Sequence, residues 1–222
     1  MNSTVASSRR LLSVLGLVIA LVVPSLAIFE QSIHGKTPDF GAAAVLSLTP
    51  WLLLAWAILV ERRSLASIGL VQPGWSTLGF GLLGVIINVA ISLVMGKIIA
   101  GLGWHETDSV LMTQLQKDGP GWLLVLLLVN SALLTEVAFR AYAIESLSDL
   151  MNGRRLAAAI LSIGLMTAIF TAGRGPPGLV ILVDSVFFSA FYLWRRDTTA
   201  CLIAHALPNF VIGTLVALRL VT

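Results

Sequence analysis

Apolar segments of membrane-spanning length recur along the whole of this 222-residue chain. A transmembrane helix needs about 20 predominantly apolar residues. Seven segments approach or exceed that length, at residues 11–29, 40–60, 78–102, 122–142, 156–172, 179–194 and 198–220. Only 11% of the residues are charged, whereas soluble domains carry about 25%. Because a helix satisfies its own backbone hydrogen bonds in lipid, the sequence predicts an all-α membrane protein. We expect a single domain over residues 1–222, a polytopic bundle of about seven transmembrane helices.

Four arginine doublets indicate the orientation of this bundle. They stand at the ends of predicted spans, at Arg9-Arg10, Arg62-Arg63, Arg154-Arg155 and Arg195-Arg196. With seven spans, all four doublets lie on the same side of the membrane, and the opposite side carries only single basic residues. Cytoplasmic loops are enriched in lysine and arginine. We therefore expect a cytoplasmic N-terminus, an external C-terminus and a location in the inner membrane of a bacterial cell.

The first apolar segment also fits a second description. A basic head followed by an apolar run, with Ser25 and Ala27 two residues apart, resembles a secretory signal peptide with a cleavage site. The many spans that follow favour an uncleaved first helix, since such a helix serves the same orienting role.

Composition and spacing exclude several classes of site. The single cysteine, Cys201, excludes an internal disulfide and a metal site built from cysteines. The long polar loop at residues 103–121 contains a histidine and three acidic residues, but their spacing fits no metal-ligand template. No basic run interleaved with aromatic residues suggests nucleic acid binding. We expect no metal, no cofactor and no nucleic acid partner.

Two charges stand inside the predicted fourth span, at Glu136 and Arg140. They are four residues apart, so on a helix they share one face and can form an ion pair. Charges within a bilayer are costly and commonly mark a functional site facing the protein interior. The alternative is a structural ion pair that only fixes helix packing.

The last predicted span carries a second polar face. Cys201, His205 and Asn209 are spaced four residues apart and share one side of the helix, with Pro208 beside them. A neutral histidine and an amide can donate hydrogen bonds to a developing oxyanion in a water-poor site. The alternative is that both residues hydrogen-bond a neighbouring helix. We regard Cys201 as a small apolar residue of the span rather than as a nucleophile.

Three short motifs occur in order along the C-terminal half. They read TEVAFR at residues 135–140, IFTAGR followed by GPPG at 169–178, and IAHALPN at 203–209. In this order and spacing they resemble the CAAX prenyl protease and bacteriocin-processing family of intramembrane endopeptidases, whose motifs are Glu-Glu-x-x-x-Arg, Phe-x-x-x-His and His-x-x-x-Asn. The resemblance predicts a family-like core at residues 122–220, preceded by N-terminal spans at residues 1–121.

The resemblance also exposes two departures from the family pattern. Glu136 and Arg140 match the second glutamate and the arginine of the first motif, but Thr135 replaces the first glutamate. Phe170 matches the second motif, whereas Arg174 replaces its histidine. The resemblance implies that the two replaced residues activate the hydrolytic water, and that His205 and Asn209 stabilise the oxyanion. Threonine is no general base and arginine stays protonated.

The water-activating half of the predicted site is therefore missing, and Asp184 is the remaining candidate for an accessory role. This carboxylate lies in the predicted sixth span. It can pair with the arginine of the second motif across the turn that joins the fifth and sixth spans, or act as a relocated catalytic carboxylate.

Three functions remain open at this stage. The first is a family member without peptidase activity that binds a peptide, a prenylated protein or another membrane protein, with membrane lipids around it. The second is an active intramembrane endopeptidase that uses Glu136 as the base and His205 with Asn209 as the oxyanion site. The third is a transporter or channel lined by Glu136, Arg140 and Asp184, which the absence of a visible internal repeat disfavours.

Overall fold

The computed structural model describes residues 3–34, 40–103, 119–171 and 178–220. Within these ranges seven long helices follow one another and no strand occurs. They are α1 (Ser3–His34), α2 (Phe40–Ala55, continued by the π-helical turn Trp56–Val60), α3 (Trp75–Gly101), α4 (Gly121–Leu150), α5 (Arg155–Thr171), α6 (Gly178–Arg195) and α7 (Thr198–Ala217). All seven predicted segments are therefore helical.

The length and composition of these helices suit a membrane. Five of them, α1, α2, α3, α4 and α7, are long and apolar enough to cross a bilayer. Helix α5 is a shorter apolar helix of 17 residues, and α6 has 18 residues. The predicted all-α membrane bundle is confirmed, whereas the orientation with a cytoplasmic N-terminus stays a prediction.

Helix α7 is held between α3 and α4, with which it makes its most extensive contacts. Close approach to α3 requires glycine at two positions. A Cβ atom added at Gly84 would lie 2.6 Å from the Cβ of Ala204, and one added at Gly81 would lie 2.8 Å from Ile203. Small residues permit such close helix packing in membranes. Asn88 adds a hydrogen bond from its amide to the Ala204 carbonyl, 3.3 Å away.

The centre of the bundle is a π-helical stretch of α4, Thr135–Ile144. All ten of its residues are buried, because α1, α2, α5, α6 and α7 pack around it. Glu136 and Arg140 therefore lie on a π-helical stretch and not on the regular α-helix that their spacing predicts. In a π-helix the hydrogen bond runs to the fifth residue along, a rare geometry that is frequent at functional sites.

Glu145, near the end of α4, is a buried charged residue. It accepts hydrogen bonds from the Tyr192 hydroxyl at 2.8 Å and from the Arg196 guanidinium at 2.7 and 3.0 Å. The helix then ends, because Asn152 and Gly153 adopt left-handed conformations with φ of 57° and 85°.

Candidate functional site

Glu136 is the centre of a cluster of polar side chains, which we call the buried cluster, formed by Glu136, Arg140, His205 and Thr135. Its carboxylate is fully buried, and among the described residues one oxygen, Oε1, makes all of its polar contacts. That oxygen lies 2.8 Å from His205 Nδ1, 3.4 Å from Arg140 Nη1 and 3.5 Å from the Thr135 hydroxyl. The ion pair predicted between Glu136 and Arg140 is therefore present. The structure brings the first and third motifs into direct contact.

The position of Glu136 assigns the tautomer of His205. A carboxylate oxygen accepts hydrogen bonds, so the hydrogen of the imidazole lies on Nδ1. In the neutral ring Nε2 then lacks a hydrogen and can only accept. The His205 side chain is 20% exposed, and its ring stacks on Phe188 with the centroids 4.7 Å apart. This arrangement fixes the ring and makes Nε2 a base rather than a hydrogen-bond donor.

Arg140 is held inside the bundle by backbone and aromatic contacts. Nη1 donates to the Thr135 carbonyl at 3.2 Å, and the guanidinium carbon lies 5.5 Å from the ring centroid of Phe188. Phe188 thus contacts both Arg140 and His205. Three buried polar atoms of the pair, Glu136 Oε2 with Arg140 Nε and Nη2, have no hydrogen-bond partner among the residues that the structure describes.

Thr135, at the position of the missing glutamate, is buried and faces the same histidine. Its hydroxyl donates to the Ala132 carbonyl at 3.0 Å and lies 3.3 Å from His205 Nδ1. A serine or threonine hydroxyl that bonds back to its own helix is a common way to satisfy a polar group in a membrane helix. A longer carboxylate side chain at this position would therefore approach the His205 ring.

Asn209 lies one turn beyond His205 on α7 but is engaged elsewhere. Its amide donates to the Leu128 carbonyl on α4 at 2.9 Å. One of its two amide hydrogens is therefore used to join α7 to α4, and the other remains available. Cys201, one turn before His205, is a buried free cysteine. These contacts match the packing role that was the alternative for this face.

The remaining predicted residues are less closely associated with the cluster. Phe170 packs edge to face on Phe139, with the ring centroids 5.9 Å apart, at the end of α5. Asp184 lies on α6, one turn before Phe188, and is half-buried. Arg174 lies outside the described residues. In the described part of the chain no group of three or more His, Cys, Asp or Glu residues is placed to hold a metal ion.

Sequence reasoning missed one residue of this site, Phe188. A phenylalanine in an apolar helix carries no distinguishing signal, because such a residue most often faces lipid or core. The only available hint was its position one turn after Asp184 on the same helix face.

Comparison with known proteins agrees with the motifs. Residues 117–211 match the family model described as type II CAAX prenyl endopeptidase Rce1-like. This region covers α4 to most of α7 and includes all three motifs. Neither the search of curated proteins nor the search of solved structures gives a match. The resemblance predicted from the motifs is confirmed, and the chain is a multi-pass membrane protein with an Rce1-like region of the CAAX prenyl endopeptidase type.

Proposed function

We propose that this protein is a proteolysis-deficient Rce1-like protein of a bacterial inner membrane, and that it binds a prenylated peptide or protein tail without cleaving it. One observation carries the proposal: the surviving carboxylate of the first motif is fully buried and bound to His205 and Arg140. Polar groups that would otherwise act on a substrate satisfy one another instead.

Hydrolysis requires a base that contacts water and titrates near the working pH. Thr135 occupies the position where the resemblance implies that base, and its hydroxyl is bonded to its own helix. Glu136 is one residue further along and has no exposed surface. Its geometry therefore gives little support to the endopeptidase mechanism in which Glu136 itself activates water.

The two residues predicted to stabilise an oxyanion, His205 and Asn209, also make hydrogen bonds that hold helices together. His205 directs its Nδ1–H edge to Glu136, and Asn209 donates to a carbonyl of α4. Both contacts join α7 to α4, and they explain why these two residues persist without the rest of the machinery. Because Glu136 and Arg140 are buried against each other, they also make poor lining for a transport pathway.

A second candidate function, an active endopeptidase, is favoured by one specific feature. The pair of Glu136 and His205 resembles the carboxylate–histidine half of a catalytic triad, in which a buried carboxylate orients the ring and the far nitrogen accepts a proton. In this arrangement the base is His205 Nε2, and Glu136 is its positioning residue. The partial exposure of the ring would allow water to reach it.

An assay in proteoliposomes distinguishes the two functions. Turnover is measured with a farnesylated peptide that carries a fluorophore and a quencher on either side of the cleavage position. Binding is measured by the fluorescence anisotropy of a labelled, non-cleavable version of the same peptide. We expect the farnesylated peptide to bind and an excess of the unprenylated peptide not to displace it. We expect turnover no higher than in empty liposomes. Turnover that is lost in His205→Ala and kept in Arg154→Gln would instead establish the endopeptidase. Absence of prenyl-dependent binding would refute the binding role.

A further inference from the structure

A second polar site lies at the end of the bundle that carries the arginine doublets. It is a cavity of about 580 Å³ between the start of α1, the segment after α2 and the end of α4. The membrane-spanning stretches of these helices are Arg10–Ala27, Ala43–Val60 and Gly121–Leu150, so all three terminate at the cavity. Its depth is therefore that of the lipid headgroups, just beyond the hydrocarbon core. The volume is within the range of about 300–1,000 Å³ usual for ligand sites.

Three arginines and two carboxylates line this cavity, so its charged side chains sum to a net charge of +1, and one arginine contacts both carboxylates. Arg63 Nε lies 2.5 Å from Glu61 Oε2, and its Nη2 lies 3.2 Å from Asp149 Oδ2 and 3.1 Å from the Ser13 hydroxyl. We call Glu61, Arg63 and Asp149 the interfacial cluster. The second oxygen of Glu61 accepts hydrogen bonds from Trp56 Nε1 at 3.0 Å and from the Tyr142 hydroxyl.

The other two arginines of the cavity, Arg10 and Arg62, do not contact either carboxylate in the described part of the chain. Both are exposed, and neither forms an ion pair or side-chain hydrogen bond within the described ranges. Ser64 adds a hydroxyl whose oxygen accepts from the Ser67 amide, which leaves its hydrogen free to donate. The walls are completed by the apolar side chains of Leu12 and Leu150, which continue toward the lipid.

We propose that this cavity binds a phosphate group, with Arg10 and Arg62 as its cationic partners and Ser64 as a hydroxyl donor. Two guanidinium groups and a hydroxyl are the donor set that phosphate oxygens prefer. Basic pockets between membrane helices on the cytoplasmic side are sites for anionic lipid headgroups. A phosphatidylglycerol headgroup at the membrane interface and a soluble phosphate ester both supply this chemistry. The site is separate from the buried cluster and does not depend on the proposed function.

The doublet Arg154-Arg155 provides a matched control. It is predicted on the same side of the membrane and carries the same charge, but neither residue lines the cavity. Arg155 Nε lies 3.9 Å from Glu145 Oε2, an oxygen that also forms an ion pair with Arg196. Removing this doublet therefore lowers the surface charge equally without changing the cavity.

Binding is measured with the full chain in nanodiscs of phosphatidylcholine to which phosphatidylglycerol is added, by native mass spectrometry of lipid retained after release. We compare the wild type with Arg10→Gln/Arg62→Gln and with Arg154→Gln/Arg155→Gln. Because each arginine that binds the phosphate directly contributes charge-assisted hydrogen bonds, worth about a tenfold factor in affinity, the cavity variant should lose about 100-fold. The control variant should retain wild-type affinity. A second arm titrates glycerol phosphate against detergent-solubilised protein.

Each outcome bears on the proposal. Loss of phosphatidylglycerol retention only in the cavity variant supports a lipid headgroup as the occupant. Arginine-dependent binding of glycerol phosphate that displaces the lipid supports a soluble phosphate ester. Equal losses in the two double variants would show general surface attraction, and the absence of arginine-dependent binding in both arms would show that no phosphate site exists. Either of these results overturns the proposal.

Discussion

The buried cluster and the interfacial cluster both join helices through contacts between carboxylates and arginines, but their surroundings differ. In the buried cluster, Glu136 and Arg140 leave three polar atoms without a described partner. In the interfacial cluster, Arg63 contacts two carboxylates and a hydroxyl, and Glu61 has donors on both oxygens. A charge that is buried away from water depends on its partner, because removing the partner leaves an uncompensated charge in the protein interior. In the interfacial cluster only Asp149 is well exposed, whereas the Arg63 and Glu61 side chains are 14% and 4% exposed, and these two have several alternative partners instead. The effect of a substitution should therefore fall from the first cluster to the second.

The largest effect is expected when one member of the buried pair is removed. Arg140→Met or Glu136→Gln should lower the free energy of unfolding by about 3–5 kcal/mol, because an uncompensated charge or unpaired polar group stays buried. The double variant should be less damaging than the worse single variant. The measurement is reversible unfolding of the reconstituted protein, arranged as a double-mutant cycle. Additive losses would show that the two side chains do not interact.

The next prediction concerns the chemistry that the buried cluster lacks. The double change Thr135→Glu and Arg174→His should confer peptidase turnover on a protein that we propose has none, because it supplies a base beside His205 together with the missing histidine. Turnover should then fall by a factor of about 10² to 10⁴ in a background carrying His205→Ala, the usual contribution of a side chain that acts as a general acid or base. The readout is cleavage of the farnesylated reporter peptide.

The interpretation of that result depends on the peptidase turnover of the wild-type protein. Turnover by the wild type that Glu136→Ala abolishes would contradict the prediction, because Glu136 would then take part in catalysis. A Glu136→Gln variant separates two roles in that case. A positioning residue shifts the pH profile of the remaining activity through His205, whereas a purely structural residue lowers the amount of folded protein and leaves the profile unchanged.

The helices were predictable because hydropathy and length are properties of local sequence. The predicted segment at 156–172 corresponds to α5, Arg155–Thr171, and the one at 179–194 to α6, Gly178–Arg195. Two helices extend well beyond their predicted segments, α1 over Ser3–His34 against residues 11–29 and α4 over Gly121–Leu150 against residues 122–142. Hydropathy marks the part of a helix that lies in lipid, and a helix can continue into water beyond it.

The site was only partly predictable, because most of it depends on tertiary contacts. A spacing of four residues was enough to pair Glu136 with Arg140. The contact between Glu136 and His205 depends on how α7 packs against α4, and no local pattern encodes that. The π-helical geometry of Thr135–Ile144 was also missed, since a shift of one hydrogen-bond position leaves no periodic signature. The hydrogen bonds of Glu145 with Tyr192 and Arg196 were also missed, because they too depend on how separate helices pack together.

A smaller effect is expected at the interfacial cluster. Arg63→Met removes the contacts to Glu61 and Asp149, but Glu61 keeps the hydrogen bonds from Trp56 and Tyr142. We expect a loss of about 1.5–3 kcal/mol in the free energy of unfolding, the usual contribution of hydrogen bonds to charged groups. Arg140→Met is the matched substitution in the buried cluster. An equal or larger loss for Arg63→Met would show that the additional hydrogen bonds of Glu61 do not lessen its dependence on Arg63.

The smallest effect is expected for Asp149→Asn, and it isolates the role of solvent within one cluster. The Asp149 side chain is 64% exposed and lies 3.2 Å from Arg63 Nη2. An exposed ion pair contributes at most about 1 kcal/mol, because water screens the attraction and the paired side chains lose freedom. We therefore expect a change in the free energy of unfolding below that value, and one that shrinks further when the salt concentration rises. The change for Glu136→Gln should be insensitive to salt, since buried charges are screened much less. If Asp149→Asn is as damaging as Glu136→Gln, or if the salt dependence of the two is reversed, the contrast between the clusters fails and burial is not what sets their energetics.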